Sequence, residues 1–198
     1  MQYLSFFDTI EPIVLHDELL AFLGVNEDGL IDFHYVDIVK TAGHSCATVA
    51  GAYLIAQKGL NALYEGDEMP QRGHIKVEIR RAPREENAGV VGSVISTITG
   101  ATTDYGFGGI PTGKFNRRDL LFYEAAIDAD VRFTRLDTQK SVSVNYRPQR
   151  VVNPMEILMS AIKPDAKPQD IQSFPVRFQE MVATVFANAD RVIDIVTE

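Results

Sequence analysis

"SCATVAGAYLIAQKGLNALY", Ser45 to Tyr64, is the stretch on which the fold turns. Its residues are small or apolar, a Ser stands near the start, and Gly59 is an internal weak point, so the pattern predicts a helix. Ala47, Ala50, Gly51 and Ala52 leave room for another element to pack very closely. Downstream, "HIKVEIRR" (74–81) alternates strictly and predicts a strand. "GVVGSVISTITG" (89–100) is rich in β-branched residues. Even so, Val91, Val94, Ile95 and Ile98 follow the i, i+3, i+4, i+7 spacing of a helix that Gly100 stops. A central helix followed by strand, helix and further strands sets the class: α+β, with a mixed or antiparallel sheet packed with helices.

The flanks extend this frame. From Thr9 through "EPIVLHDELLAFLG" the apolar spacing, Pro12 and Gly24 predict a helix, and "NEDGL" a turn. "IDFHYVDIVK" (31–40), aromatic and β-branched, predicts a strand. "LLFYEAA" (120–126), "VRFTRLD" (131–137) and "SVSVNYR" (141–147) read as strands, the last two forming a hairpin around "TQK". After Pro148 the character changes. "NPMEILMSAI" and "DIQSFPVRFQEMVATVFANA" predict helices, with Pro175 interrupting or starting the second. "RVIDIV" predicts a strand returning to the sheet. The domain reading is therefore a core over 1–150 and a helical C-terminal extension over 151–198.

Composition narrows the function classes. The chain has 198 residues, 45% hydrophobic and 23% charged, with a net charge of −8 and a single cysteine. An acidic chain lacks the clustered cations that nucleic acid requires. The basic spots around Arg80, Arg81 and Arg84 and around Arg117 and Arg118 are flanked by acids and read as solvated faces. No apolar run is long enough to span a bilayer, and the first residues carry no export signature. The expectation is a cytoplasmic protein without membrane or nucleic-acid partners. One cysteine excludes a disulfide framework within the chain and a Cys-rich zinc finger.

"GGIPTGKF" (108–115) comes within one residue of a phosphate-binding loop, with Phe115 in place of the magnesium-binding hydroxyl. Its flanks do not predict the strand and helix such a loop needs, so the likeness is accidental. What remains is a long Gly-rich loop, Thr102 to Arg118, carrying Asp104, Tyr105, Lys114 and Asn116. Loops of that length are often functional. Asp104 and Asn116 also suit a plain turn role, and Asp104 equally a ligand or base.

The chemistry-bearing stretch is "TAGHSCATVAGAYLIA" (41–56), which places His44 two positions before Cys46 at a helix start. A helix N-terminus favours thiolate, and an imidazole at i−2 adds a second ligand suited to zinc or another late first-row metal. An isolated H-x-C also occurs in purely structural settings, where the thiol is a small buried hydrophobe. His34, on the segment leading into the motif, is either a third ligand or a hydrogen-bonded half-buried histidine. His16 and His74 read as ordinary surface residues.

"AGHSCATVAGAYLIAQKGLNAL" resembles the G-H-x-C signature and small-residue helix of the FmdE-like family, which takes its name from formylmethanofuran dehydrogenase. That family's second motif, G-C-T-x-G-K-G-N, resembles "TGATTDYGFGGIPTGKFNRRDLLFY" at Gly100, Thr102, Gly113, Lys114 and Asn116. The resemblance covers residues 30 to 147. It implies an α+β core, a homodimer, and a metal site at His44 and Cys46 with Lys114 and Asn116 near the same cleft. Ala47 replaces the family's Pro, Ala101 its second Cys, and the cysteines of the C-terminal zinc finger carried by some members are absent. The implied function is metal binding, with zinc foremost, and one form of it is a metal-dependent enzyme acting on a small molecule through Lys114 and Asn116, with Asp104 the further catalytic candidate from its own loop position. Two alternatives stay open: a module holding a metallocofactor such as haem, and a metal-free Cys46 nucleophile paired with His44.

Overall fold

The computed structural model describes residues 3–197 of the chain. The architecture is α+β. Its main sheet has five strands: β3 (Ile75–Ile79), β4 (Leu121–Phe122), β5 (Val131–Arg135), β6 (Ser141–Tyr146) and β7 (Ile193–Thr197). They lie in the order β4-β3-β5-β6-β7, with β3 and β4 parallel and every other pair antiparallel. A separate antiparallel pair joins β1 (Ile13–His16) to β2 (Leu30–Phe33), with Ile13 opposite Phe33 and His16 opposite Leu30.

The predicted central helix is present as α3 (Ala47–Leu63), and most of its residues are buried. Its glycines explain why it lies so close to the sheet. A Cβ on Gly51 would come 2.3 Å from the Tyr146 ring, and one on Gly59 would come 2.6 Å from Phe133. The slim face is therefore occupied by rings of β6 and β5 within the same chain. α4 (Ala88–Thr99) packs beside α3 and ends at Gly100, in the left-handed region that Gly favours. On the sheet's outer face Arg132 forks onto Glu78 with bonds of 2.9 and 3.0 Å, in a cross-strand row that ends in the exposed Phe122 and Val196.

Two predicted elements near the N-terminus are corrected, and the strand expected over 120–126 shrinks to the two residues of β4. The helix expected over residues 9–24 is instead a 3-10 turn (Ser5–Thr9), then β1, then only the short α1 (Glu18–Phe22). Ile13 and Leu15 are buried while Val14 is exposed, so the period there is two, and His16 lies on a strand. The strand expected over 31–40 stops at Phe33, and α2 (Tyr35–Ala42) follows. Tyr35 and Ile38 face the core three residues apart, Asp37 accepts the His34 N–H at 3.2 Å, and Gly43 (φ 77°) closes the helix. The capping chemistry outweighed the β-branched composition.

The C-terminal segment folds onto the same core. α5 (Pro154–Ile162) and α6 (Pro168–Ala187) form a helical hairpin, with Pro175 inside α6. Met181, Val182 and Val185 of α6 are buried, and α7 (Ala189–Val192) leads into β7. Phe186 packs edge-on against Tyr35, whose ring also meets Phe7 and Tyr53. The Tyr53 hydroxyl lies 2.8 Å from Glu11 O and 2.9 Å from Phe33 O, sharing its one proton between them. That cluster fastens the N-terminal strands to α3. Among the described residues, no helix is long and apolar enough to cross a membrane.

Candidate functional site

The chain leaves α2 through Gly43 and enters α3 through His44, Ser45 and Cys46. Cys46 is extended (φ −149°, ψ 173°) and caps the helix, its Sγ accepting the Val49 N–H at 3.5 Å. His44 is exposed, and its Nδ1 lies 3.0 Å from Ala42 O. A carbonyl only accepts, so Nδ1–H must donate, which leaves the lone pair of the neutral ring on Nε2. His44 also lines a mostly apolar cleft of about 260 Å³ between α2 and α4, with Ile38, Thr41, Val94 and Thr97.

Cys46, half-buried, sits among fixed hydroxyls. Tyr35 Oη and Ser45 Oγ are 3.0 Å apart, Tyr146 Oη donates to Ala47 O at 2.8 Å, and Gln179 Nε2 donates to Ser45 O at 3.0 Å. Burial pushes both phenols well above their ordinary range, and the proximity of Cys46 adds to this. Both therefore stay neutral hydroxyls beside the sulfur.

The other expected site residues lie elsewhere. His34 is exposed at the opposite end of α2 from His44, about 12 Å along the axis for eight residues, and its Nε2 is held 2.9 Å from Asp32. The loop of Asp104, Lys114 and Asn116 leaves the C-terminal end of α4, whereas Asn87, at the N-terminal end, meets Thr48 of α3. Twelve residues separate those ends by about 18 Å. Asp104 and Lys114 are exposed, and Asn116 is turned onto Arg118, bonding its N–H and carbonyl. His44 and Cys46 stand two residues apart at one helix entry, and Lys114, Asn116, Asp104 and His34 lie on other segments of the fold. Among the described residues, no three His, Cys, Asp or Glu side chains form a group able to hold a metal ion.

Residues 108–115 form a pinched turn, bridged from Gly108 to Asn116 and closed by Ile110 N to Lys114 O at 3.0 Å. The next regular element is β4, so the strand–loop–helix frame of a phosphate loop is not built at these residues.

Sequence reading missed two charged clusters. Asp17 is 1% exposed and takes Arg117 Nη2 at 2.6 Å on Oδ1 and Arg72 Nη1 at 2.8 Å on Oδ2. Arg72 also donates to the carbonyls of Thr97 and Ile98 at 3.0 Å, capping the C-terminal end of α4. Arg117, expected on a solvated face, is buried. Arg80 and Arg81, expected on another, line a cleft beside α4. No local spacing could have found the first cluster, because Asp17 and its two partners come from three distant segments; the second was visible as a basic spot, but not as the lining of a cleft.

The chain matches no protein-family model and no curated protein. The resemblance to the FmdE-like family rests on the two motifs themselves.

Proposed function

We propose that the chain binds a transition-metal ion, zinc foremost, through His44 Nε2 and Cys46 Sγ, and a small molecule in the adjoining cleft. The observation that carries this is the Nδ1–H bond from His44 to Ala42 O. Metal-ligating histidines commonly anchor one ring nitrogen in this way and present the other to the ion. Two protein ligands leave positions of a tetrahedral ion open to water, substrate or a side chain of a second copy, and such an ion would supply Lewis acidity. The chain's own part is to fix the sulfur: the Val49 amide donates to Cys46 Sγ at the start of α3. The homodimer implied by the family resemblance would use a surface other than the slim face of α3, which Tyr146 and Phe133 cover.

A second reading, a metal-free Cys46 nucleophile with His44 as its base, draws on the same amide-to-sulfur bond and on the lack of a third ligating side chain among the described residues. Elemental analysis of protein purified without a metal-affinity tag separates the two. Metal near stoichiometry, lost in His44→Ala and in Cys46→Ser with native circular dichroism, is the expected result. Metal retained in both variants would overturn the assignment. Thiol alkylation at neutral pH should be slow as purified and fast after chelation. A rate fast from the start and indifferent to chelator would favour the metal-free nucleophile. An absorption spectrum with a Soret band would instead identify haem.

A further inference from the structure

We infer that the cleft formed by the end of β3, the start of α4 and β6 binds a small organic oxyanion, a carboxylate or phosphate ester with a short apolar body, through Arg80 and Arg81. The cleft holds about 410 Å³, within the range of small-ligand sites. Among the described residues, Arg80, Arg81 and Arg147 line it against two carboxylates, Asp130 and Glu86, leaving one positive charge in excess.

Asp130 is already saturated. Its Oδ1 takes Arg80 Nη2 at 2.8 Å, and its Oδ2 takes Arg147 Nη1 at 2.6 Å and the Tyr146 N–H at 3.0 Å. Glu86 reaches Arg81 Nη2 at 3.0 Å from an exposed position, where solvent screens the pair. The Nε atoms of both Arg80 and Arg81 are buried with no acceptor among the described residues. A buried donor left unpaired is destabilising, and it points to an acceptor from outside this cluster. A carboxylate or phosphate answers this need, because it takes the Nε and Nη donors of one guanidinium as a fork. Both Nε atoms are enclosed, so a ligand takes them only as the side chains turn, Arg81 away from Glu86 and Arg80 away from Asp130.

Beside the arginines part of the wall is apolar, with Ile55, Ile79, Val91 and Tyr146, while Gln149 adds a polar group. An inorganic ion would leave that wall in contact with water, and an uncharged alcohol would leave the arginines unanswered. An oxyanion with an apolar body fits both. This inference stands independently of the reading at His44, which lines a different cleft.

The test is calorimetric titration of the full chain with hexanoate, phenyl phosphate, hexanol and inorganic phosphate. Saturable binding of hexanoate or phenyl phosphate is expected, and which of them binds more tightly distinguishes a carboxylate from a phosphate head. Arg81→Gln should weaken it about tenfold or more without lowering Tm, since the partner of Arg81 is the exposed Glu86. Glu86→Gln should tighten it severalfold by removing the internal competitor, which arginines with a purely structural role would not produce. The inference is overturned if neither anion binds at millimolar concentration, if Arg81→Gln leaves affinity unchanged, or if hexanol or inorganic phosphate binds as tightly as the organic anions.

Discussion

Asp17, 1% exposed, holds two arginines that reach it from distant parts of the chain. Burial raises its pKa, but the Arg72 hydrogen bond and the Arg117 charge prevail and hold the carboxyl below its ordinary value. Asp17→Asn would leave two guanidinium groups facing a neutral amide, one of them buried. The expected loss in urea denaturation is about 3–5 kcal/mol, the range for breaking a buried pair from one side. A loss below about 1 kcal/mol would mean that the pair behaves like an exposed one. Gly73 guards the same cluster: its φ is +82°, and a Cβ there would lie 1.1 Å from Arg117 Nη1. Gly73→Ala should therefore destabilise by several times the roughly 1 kcal/mol of a strained left-handed residue, because it also displaces the guanidinium. At this scale the sequence was only partly legible. His44 and Cys46 are near neighbours in the chain and can be read as a unit, whereas Asp17, Arg72 and Arg117 meet only through the fold.

At the scale of elements, α3, α4, β3, β5 and β6 were readable because each carries one clear period over its whole length. The first forty residues were not, because two short elements share each window. Ile13 and Leu15 set a strand that runs into α1, and β2 gives way to α2 at His34. Averaged over ten or more residues, such a junction imitates a single element of the wrong kind. The slim face of α3 was seen, but its partner was not, since spacing does not say whether a helix or a ring fills a gap. Gly51→Ala tests the answer. Alanine would favour the helix by about 1 kcal/mol, yet its Cβ overlaps the Tyr146 ring, and overpacking costs about 1–3 kcal/mol. A net loss is expected, and it should be smaller in a Tyr146→Ala background. Equal effects in both backgrounds would show that the ring is not what Gly51 accommodates.

Across the whole molecule, acid should unfold this chain in a defined direction. Asp17 and Glu78 are both buried enough for desolvation to raise their pKa values, and in both the partner cations bring the net shift below the ordinary carboxylate range. A depressed folded pKa means that the unfolded chain binds protons more readily. The stabilisation is then present above about pH 4 and is lost as pH falls through the folded value. Tm should fall on titration from about pH 7 to about pH 3, and the acid-induced part of the fall should shrink in Asp17→Asn. An unaltered slope in that variant would remove Asp17 from the linkage.

β7 has a consequence for how the chain is made. It pairs with β6 along Val142 to Tyr146, yet α5, α6 and α7 are all synthesised between them. While the polypeptide emerges from the ribosome, β6 stays an unzipped margin of the sheet, open to any extended strand that arrives first. Closing it late favours slow, non-local folding and leaves a nascent intermediate that chaperones would recognise. A stop codon placed before Ile193 should therefore yield aggregated protein, whereas supplying the missing segment as a separate peptide should restore solubility.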